Sequence, residues 1–232
     1  MVASRSPKSF VPGLCTLLLV AACSPGDDAA LEANEPAVTG EVAEANTELR
    51  AEIARLKETA ARYQDVNVAL AEGYIPDPSG MCVTAAMEGM PAEMGAMGIH
   101  YLRPDLLGLN PPQPGQRISG MGTHTDFNQP AILMYEPQMD GSMQLVGVEN
   151  LVWEAGMAAA GNTAVPSFLG NEYVHMVDDP ATEADEAHGF EPHYELHAWV
   201  VRDNPNGMFT PFNPAVTCEH AAHGPAAAPA GQ

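Results

Sequence analysis

Basic residues are scarce in this chain, with 9 Lys and Arg against 30 Asp and Glu in 232 residues and a formal charge of −21. A surface of that sign repels phosphate backbones and anionic headgroups, which excludes nucleic acid as a partner and leaves charge unable to hold the protein on a membrane. Long hydrophobic runs are missing as well: the apolar stretch from Val11 to Val20 is too short to span a bilayer. No serine nucleophile elbow, phosphate loop, dinucleotide fingerprint or haem-attachment motif is present, so the common enzyme classes lack support and no catalytic residue is assigned.

What the N-terminus does contain is Arg5 and Lys8 ahead of that short apolar run, which leads into Val20-Ala21-Ala22-Cys23. This is the pattern of a signal peptide over residues 1–22. Its last four residues resemble the bacterial lipobox, in which cleavage precedes the cysteine and the new N-terminal Cys23 is lipidated. Ser24, rather than an aspartate, then implies sorting to the outer membrane. The expectation is a periplasmic protein whose membrane partner is reached through the Cys23 lipid alone. Its mature charge would be −23, seven basic residues against thirty acidic ones. Cys15 leaves with the signal and Cys23 carries lipid, so Cys82 and Cys218 remain in an oxidising compartment and are expected to form one disulfide.

Residues 23–45 are rich in Ala, Glu, Pro, Gly and Asp and cannot bury enough surface to offset their ordering entropy, which reads as a flexible acidic tether. A helix follows from Asn46 or Thr47, with Leu49, Ile53, Leu56, Ala60, Tyr63 and Leu70 on one stripe and Gly73 as its stop. Its second half is expected to pack on a sheet. Met87, Met90, Met94 and Met97 would share a face if helical and could then offer thioethers to Cu(I), but the interleaved Gly89, Pro91 and Gly95 break a helix, and methionine is also a common filler of irregular cores. Strands are expected over Gly98 to Arg103, Ala131 to Glu136, Met143 to Trp153 and Glu191 to Arg202, the last read as central, with a hairpin at Asp140-Gly141. Residues 158–188 read as mostly loop with a short extended piece near Phe168, and 221–232 as a disordered tail. One helix followed by non-alternating strands predicts an α+β domain over residues 46–220. In it a long N-terminal helix packs on a strongly curved or barrel-like antiparallel sheet, stapled by one disulfide.

Period-two counting puts Leu145, Gly147, Glu149, Leu151 and Trp153 on one face of their strand, and His193, Glu195, His197 and Trp199 on one face of theirs. His193 and His197, four apart, are separated by roughly 13 Å on a strand and cannot share an ion with ligand bonds of roughly 2 Å. His100, Glu149 and His197 lie on three apolar strands, where two imidazoles and a carboxylate can converge on a transition-metal ion, zinc or copper, with Glu136 as a fourth candidate ligand. The alternative is a structural or interaction protein in which the same groups form a hydrogen-bonded network that serves only the fold. His124, His175, His188, His220 and His223 fall in loops or the tail and read as ordinary exposed histidines.

Several of these segments together resemble an uncharacterised family of secreted bacterial proteins, some of them lipoproteins: Ala69-x-x-x-Gly73-Tyr74, Met97-Gly98-Ile99-His100-Tyr101, Leu133-x-Tyr135-Glu136-Pro137, Val146-Gly147-Val148-Glu149, Leu196-His197-x-Trp199 and Asn204-Pro205-x-Gly207-Met208-Phe209 followed by Asn213-Pro214 and Cys218. The resemblance covers most of residues 60–218. It implies that His100, Glu136, Glu149 and His197 belong to one set, and it carries no chemistry with it. The sequence thus leads to an outer-membrane-anchored periplasmic lipoprotein with a small polar or metal-binding site on its sheet. The anchor is testable directly: Cys23→Ser moves the protein from the membrane to the soluble fraction, and a variant that stays membrane-bound after signal removal contradicts lipidation.

Overall fold

The computed structural model describes residues 40–111 and 113–222. The signal peptide, Cys23, the tether up to residue 39, His223 and the rest of the tail lie outside the described residues. Helix α1 spans Gly40–Ala61 and so begins six residues ahead of the expected Asn46. It does not run through to Gly73. A 3-10 turn at Arg62–Gln64 interrupts it, and Asp65 then caps a short α2, Val66–Ala71, by accepting from the Asn67 N–H at 2.9 Å. An aspartate competes for backbone donors in a helix interior and favours a cap, which explains the break. The stripe is buried where it meets the sheet, at Leu56, Ala60 and Tyr63, whereas Leu49 and Leu70 are exposed.

The strands are β1 (Ile75–Pro76), β2 (Cys82–Thr84), β3 (Ala96–Leu102), β4 (Ile132–Pro137), β5 (Met143–Trp153), β6 (Ser167–Phe168), β7 (Asn171–Glu172), β8 (Val174–Met176) and β9 (His193–Ala198). Seven form one antiparallel sheet in the order β1-β3-β4-β5-β9-β8, with β2 also on the outer edge of β3, while β6 and β7 pair separately. The sheet is open, not closed into a barrel, because β1 and β2 at one side and β8 at the other are only two or three residues long and do not meet. Nor is β9 central. It lies between β5 and the edge strand β8, and the eleven-residue β5 takes the middle with β4. The β4–β5 hairpin turns at Asp140-Gly141, where Gly141 has a φ of +82° and the Asp140 carboxylate accepts from the Ser142 N–H at 3.0 Å.

The two sheet faces bury different clusters. One holds Leu56, Ala60 and Tyr63 of the helical segment against Tyr101, Leu133, Tyr135, Val148, Val152 and Leu196, and the Tyr135 hydroxyl donates to the Tyr63 carbonyl at 2.6 Å, tying the helix break to β4. The other holds Leu102, Ile132, Leu151 and Trp153 under Leu107, at the end of the one-turn helix Pro104–Leu107, and under Phe190 from a loop. The expected parity of β5 fails at one position. Met134 pairs with Gly147 but Tyr135 pairs with Leu145, so Val146 is an extra residue and Leu145 turns to the helix side.

Between Ala85 and Met94 the backbone makes two short 3-10 turns separated by Gly89 at φ +74°, not a helix. Met97 is fully buried in β3 while Met90 is 45% exposed, so the four methionines share no face. Cys82 on β2 is bonded to Cys218, 136 residues later, which fixes the C-terminal segment beside the outer edge of β3. Opening that loop by Cys218→Ala is expected to cost roughly 4–5 kcal/mol on the chain-entropy estimate and to lower Tm by roughly 8–20 °C. Non-reducing peptide mapping should show the two cysteines in one linked peptide, and two free thiols would contradict the pairing.

Candidate metal centre

Strand register brings the polar groups together on the Trp153 side of the sheet. Glu149 pairs directly with His197, Leu151 with Glu195 and Trp153 with His193, and side chains directly opposite on antiparallel strands start roughly 5 Å apart at Cβ. His100 enters from β3, across β4. The intervening β4 position is Met134, whose terminal methyl would lie 2.6 Å from any Cβ on Gly147. A side chain at position 147 would therefore displace Met134, which lies between His100 and Gly147 in the register.

The result is a first triad in which His100 Nε2 is 3.2 Å and His197 Nε2 3.4 Å from the same oxygen, Oε2 of Glu149. All three residues are at most 2% exposed. Ligand atoms bonded to a tetrahedral ion at roughly 2.0–2.1 Å sit roughly 3.3 Å from one another, which is the spacing of both histidine nitrogens from Glu149 Oε2. Neither the two nitrogens nor either Glu149 oxygen makes a hydrogen bond among the described residues, despite these short separations.

Glu136, the fourth expected ligand, is elsewhere. Its carboxylate accepts from Arg202 Nη2 at 2.9 Å and from the Thr217 N–H at 2.8 Å, so it clamps the C-terminal segment and has no free oxygen for the centre. His124, His175 and His220 lie at or near the surface, as expected, but His188 does not: it is 1% exposed. His188 Nε2 lies 3.5 Å and His193 Nε2 3.1 Å from Glu195 Oε2, which forms a second buried triad. The expected 13 Å separation of His193 and His197 is consistent with their belonging to different groups. Glu88 extends the cluster, its Oε1 standing 3.2 Å from His188 Nδ1.

His188 and Glu88 carry no signal in the sequence, one being in a loop and the other beside Gly89 in the methionine-rich stretch. A clamp places the His188 loop: Arg117 donates to the Phe190 carbonyl at 2.7 Å and pairs with Asp185 at 2.7 Å and with Asp178. His188 also adopts a left-handed backbone, φ +38°, a conformation that costs a non-glycine residue on the order of 1 kcal/mol and persists where the surroundings impose it.

Electrostatics of the cluster are dominated by burial. Burial would raise Glu195, but the facing His188, His197 and His193 outweigh it and hold the carboxyl well below its usual range. For His188 burial wins and pushes the ring down to about 4. Burial, reinforced by Glu195 and Asp185, pushes Glu88 up to about 10. His100 is raised, because Glu149 more than offsets the burial that opposes its charge. Of the eleven buried side-chain nitrogen and oxygen atoms without a hydrogen-bond partner among the described residues, eight belong to Glu88, His100, Glu149, His188, Glu195 and His197. At roughly 1–3 kcal/mol each, they would cost about as much as the whole stability of a domain, roughly 5–15 kcal/mol. A cation held between Glu149 Oε2, His100 Nε2 and His197 Nε2 would relieve three of these atoms, since it accepts lone pairs from imidazole and carboxylate alike.

The shifts fix signs for pH dependence. Raised from 4.5 to about 10, Glu88 stabilises the fold fully below about pH 4.5 and loses that contribution as the pH climbs to 10. Lowered from 6.5 to about 4, His188 contributes above about pH 6.5 and loses its contribution as the pH falls to 4. The two oppose each other in mildly acidic solution, whereas on the alkaline side Glu88 and the raised His100 both lose stabilisation as the pH climbs. In EDTA, stability should fall on the order of 1 kcal/mol per pH unit from pH 7 to 9.5, and Glu88→Gln should flatten that slope. A wild-type slope unchanged in Glu88→Gln contradicts the assignment.

No protein-family model, curated protein or solved structure matches the chain.

Proposed function

We propose that this protein is a periplasmic lipoprotein, tethered to the outer membrane through Cys23, whose sheet holds a transition-metal ion between His100, Glu149 and His197. One observation carries the metal reading: three fully buried ligand atoms from three strands meet at 3.2 and 3.4 Å without hydrogen bonds. A polar network would instead be expected to satisfy its members. Two imidazoles and a carboxylate suit zinc or divalent copper, and the absence of thioether or thiolate from the set argues against Cu(I). Three protein ligands also leave a coordination position for a small exogenous ligand.

The anchoring half of the proposal is supported by the lipobox-like Val20-Ala21-Ala22-Cys23, by the charge that keeps the chain from adhering to anionic lipid, and by the lack of a helix long and apolar enough to cross a membrane among the described residues. Resemblance to a family of secreted bacterial proteins accords with export, and it groups His100, Glu149 and His197 without assigning them a chemistry.

Metal analysis of protein purified without chelator decides between this and a purely structural network. The expected result is stoichiometric zinc or copper, and a loss of affinity of tenfold or more in His197→Ala as one ligand goes. No stoichiometric metal in either form, with only a stability loss of roughly 1–3 kcal/mol in the variant, would leave the network as the function of these residues.

A further inference from the structure

We propose that the same buried centre holds a second divalent ion between His188, His193 and Glu195, making it a two-ion site in which Glu195 serves both halves. The inference rests on the first triad being an ion site, but its residues and geometry are separate. One ligand atom from each of His188, His193 and Glu195 lies within 4.8 Å of the others, Nε2 of His188 and of His193 standing 3.5 and 3.1 Å from Glu195 Oε2, and all three residues are at most 1% exposed.

Hydrogen-bond direction on His193 supplies the argument. Its Nδ1 faces the Glu191 carbonyl at 2.9 Å, and a carbonyl oxygen only accepts, so Nδ1 carries the ring proton. In the neutral ring Nε2 is then a lone pair aimed at Glu195 Oε2, 3.1 Å away. Two acceptors at that distance repel unless a positive charge lies between them. Either a proton on Nε2 or a metal ion supplies it, and for the metal a backbone carbonyl behind the far ring nitrogen is the usual way of fixing a ligating histidine. Behind His188 stands a carboxyl instead: Glu88 Oε1 is 3.2 Å from Nδ1, and neither atom has a hydrogen-bond partner among the described residues.

Glu195 links the halves. While Oε2 faces His188 and His193, Oε1 lies 3.7 Å from Nδ1 of His197, whose Nε2 belongs to the first triad. Glu195 is thus a ligand of the second ion and a positioning residue for a ligand of the first. The chemistry that fits is a divalent first-row transition ion that accepts imidazole and carboxylate together.

Stripping the full chain with chelator and titrating it with zinc salt alone reads the stoichiometry. Two zinc ions per chain are expected in the wild type and one in each of His193→Ala and His100→Ala. In Glu195→Gln one ion is expected, bound at least tenfold more weakly than in His193→Ala, because an outer partner is lost as well. A single zinc abolished by His100→Ala and unaffected by His193→Ala overturns the second ion and leaves the first standing. The converse, a single zinc abolished only by His193→Ala, overturns the first triad as a metal site and, with it, the two-ion centre. Should the variants fail to fold, anomalous scattering at the zinc edge from crystals of the reloaded wild type decides. A peak within bonding distance of His193 Nε2 and Glu195 Oε2, besides one at Glu149, upholds the proposal, and the lack of it there refutes the proposal.

Discussion

Burying Glu149 and Glu195 is the constraint to which the rest of this structure answers. Both carboxylates are fully enclosed on strands that are otherwise apolar, and an ion taken out of water without compensation costs several kcal/mol. Four histidines answer them from three directions: His100 across β4, His193 and His197 from β9, and His188 from a loop. In each carboxylate Oε2 is approached by two imidazoles, and Glu195 Oε1 is also faced by His197 Nδ1 at 3.7 Å. An arrangement in which nitrogens crowd one oxygen is poor hydrogen bonding but suits ligands that share an ion.

The scaffold keeps water from the cluster and holds its members in register. Antiparallel pairing of β5 with β9 sets Glu149 against His197 and Leu151 against Glu195, so a slip of one residue would turn every one of these side chains toward the helix. Trp153 donates to the Leu107 carbonyl at 2.7 Å. Gly120 lies so close that a Cβ there would meet the indole nitrogen at 2.3 Å, which brings the covering loop down onto the sheet. Arg117 then pins the strand of chain that delivers His188 and Phe190. At the opposite edge the disulfide and the Glu136–Arg202 pair secure the C-terminal segment. A cluster built on strands and clamped loops is preorganised, so the proposed ion would not have to assemble its ligand geometry.

The charge distribution divides the molecule by role. The described acids Asp178 and Asp185 are engaged by Arg117 and the buried Glu136 by Arg202, while the buried carboxylates Glu88, Glu149 and Glu195 are matched to histidine. Only histidine among the cationic side chains changes charge near neutrality. The four buried histidines therefore give the interior of this strongly acidic chain a charge that can adjust near neutrality.

Alternation and turn chemistry made most of the sheet legible before any coordinates. Long runs such as Met143 to Trp153 have room for a period, and Asp140-Gly141 marks its turn locally. Short strands such as β2 and β8 have no room for a period, and their existence depends on the neighbours that pair with them. The helix was legible as a stripe, but its break at Asp65 was not, although the cap is local. The bulge at Val146 reversed the face of Leu145, because register is a property of two strands together. Residue by residue, the sequence alone determined that His100, Glu149 and His197 sit on apolar strands and that His193, Glu195 and His197 share a face, since side-chain direction on a strand follows from parity. That Glu136 belongs to Arg202, that His188 and Glu88 join the centre, and that the histidines of β9 divide between two triads were decided only by tertiary structure. These are meetings of residues far apart in the chain, and nothing in the local backbone chemistry of either partner records them.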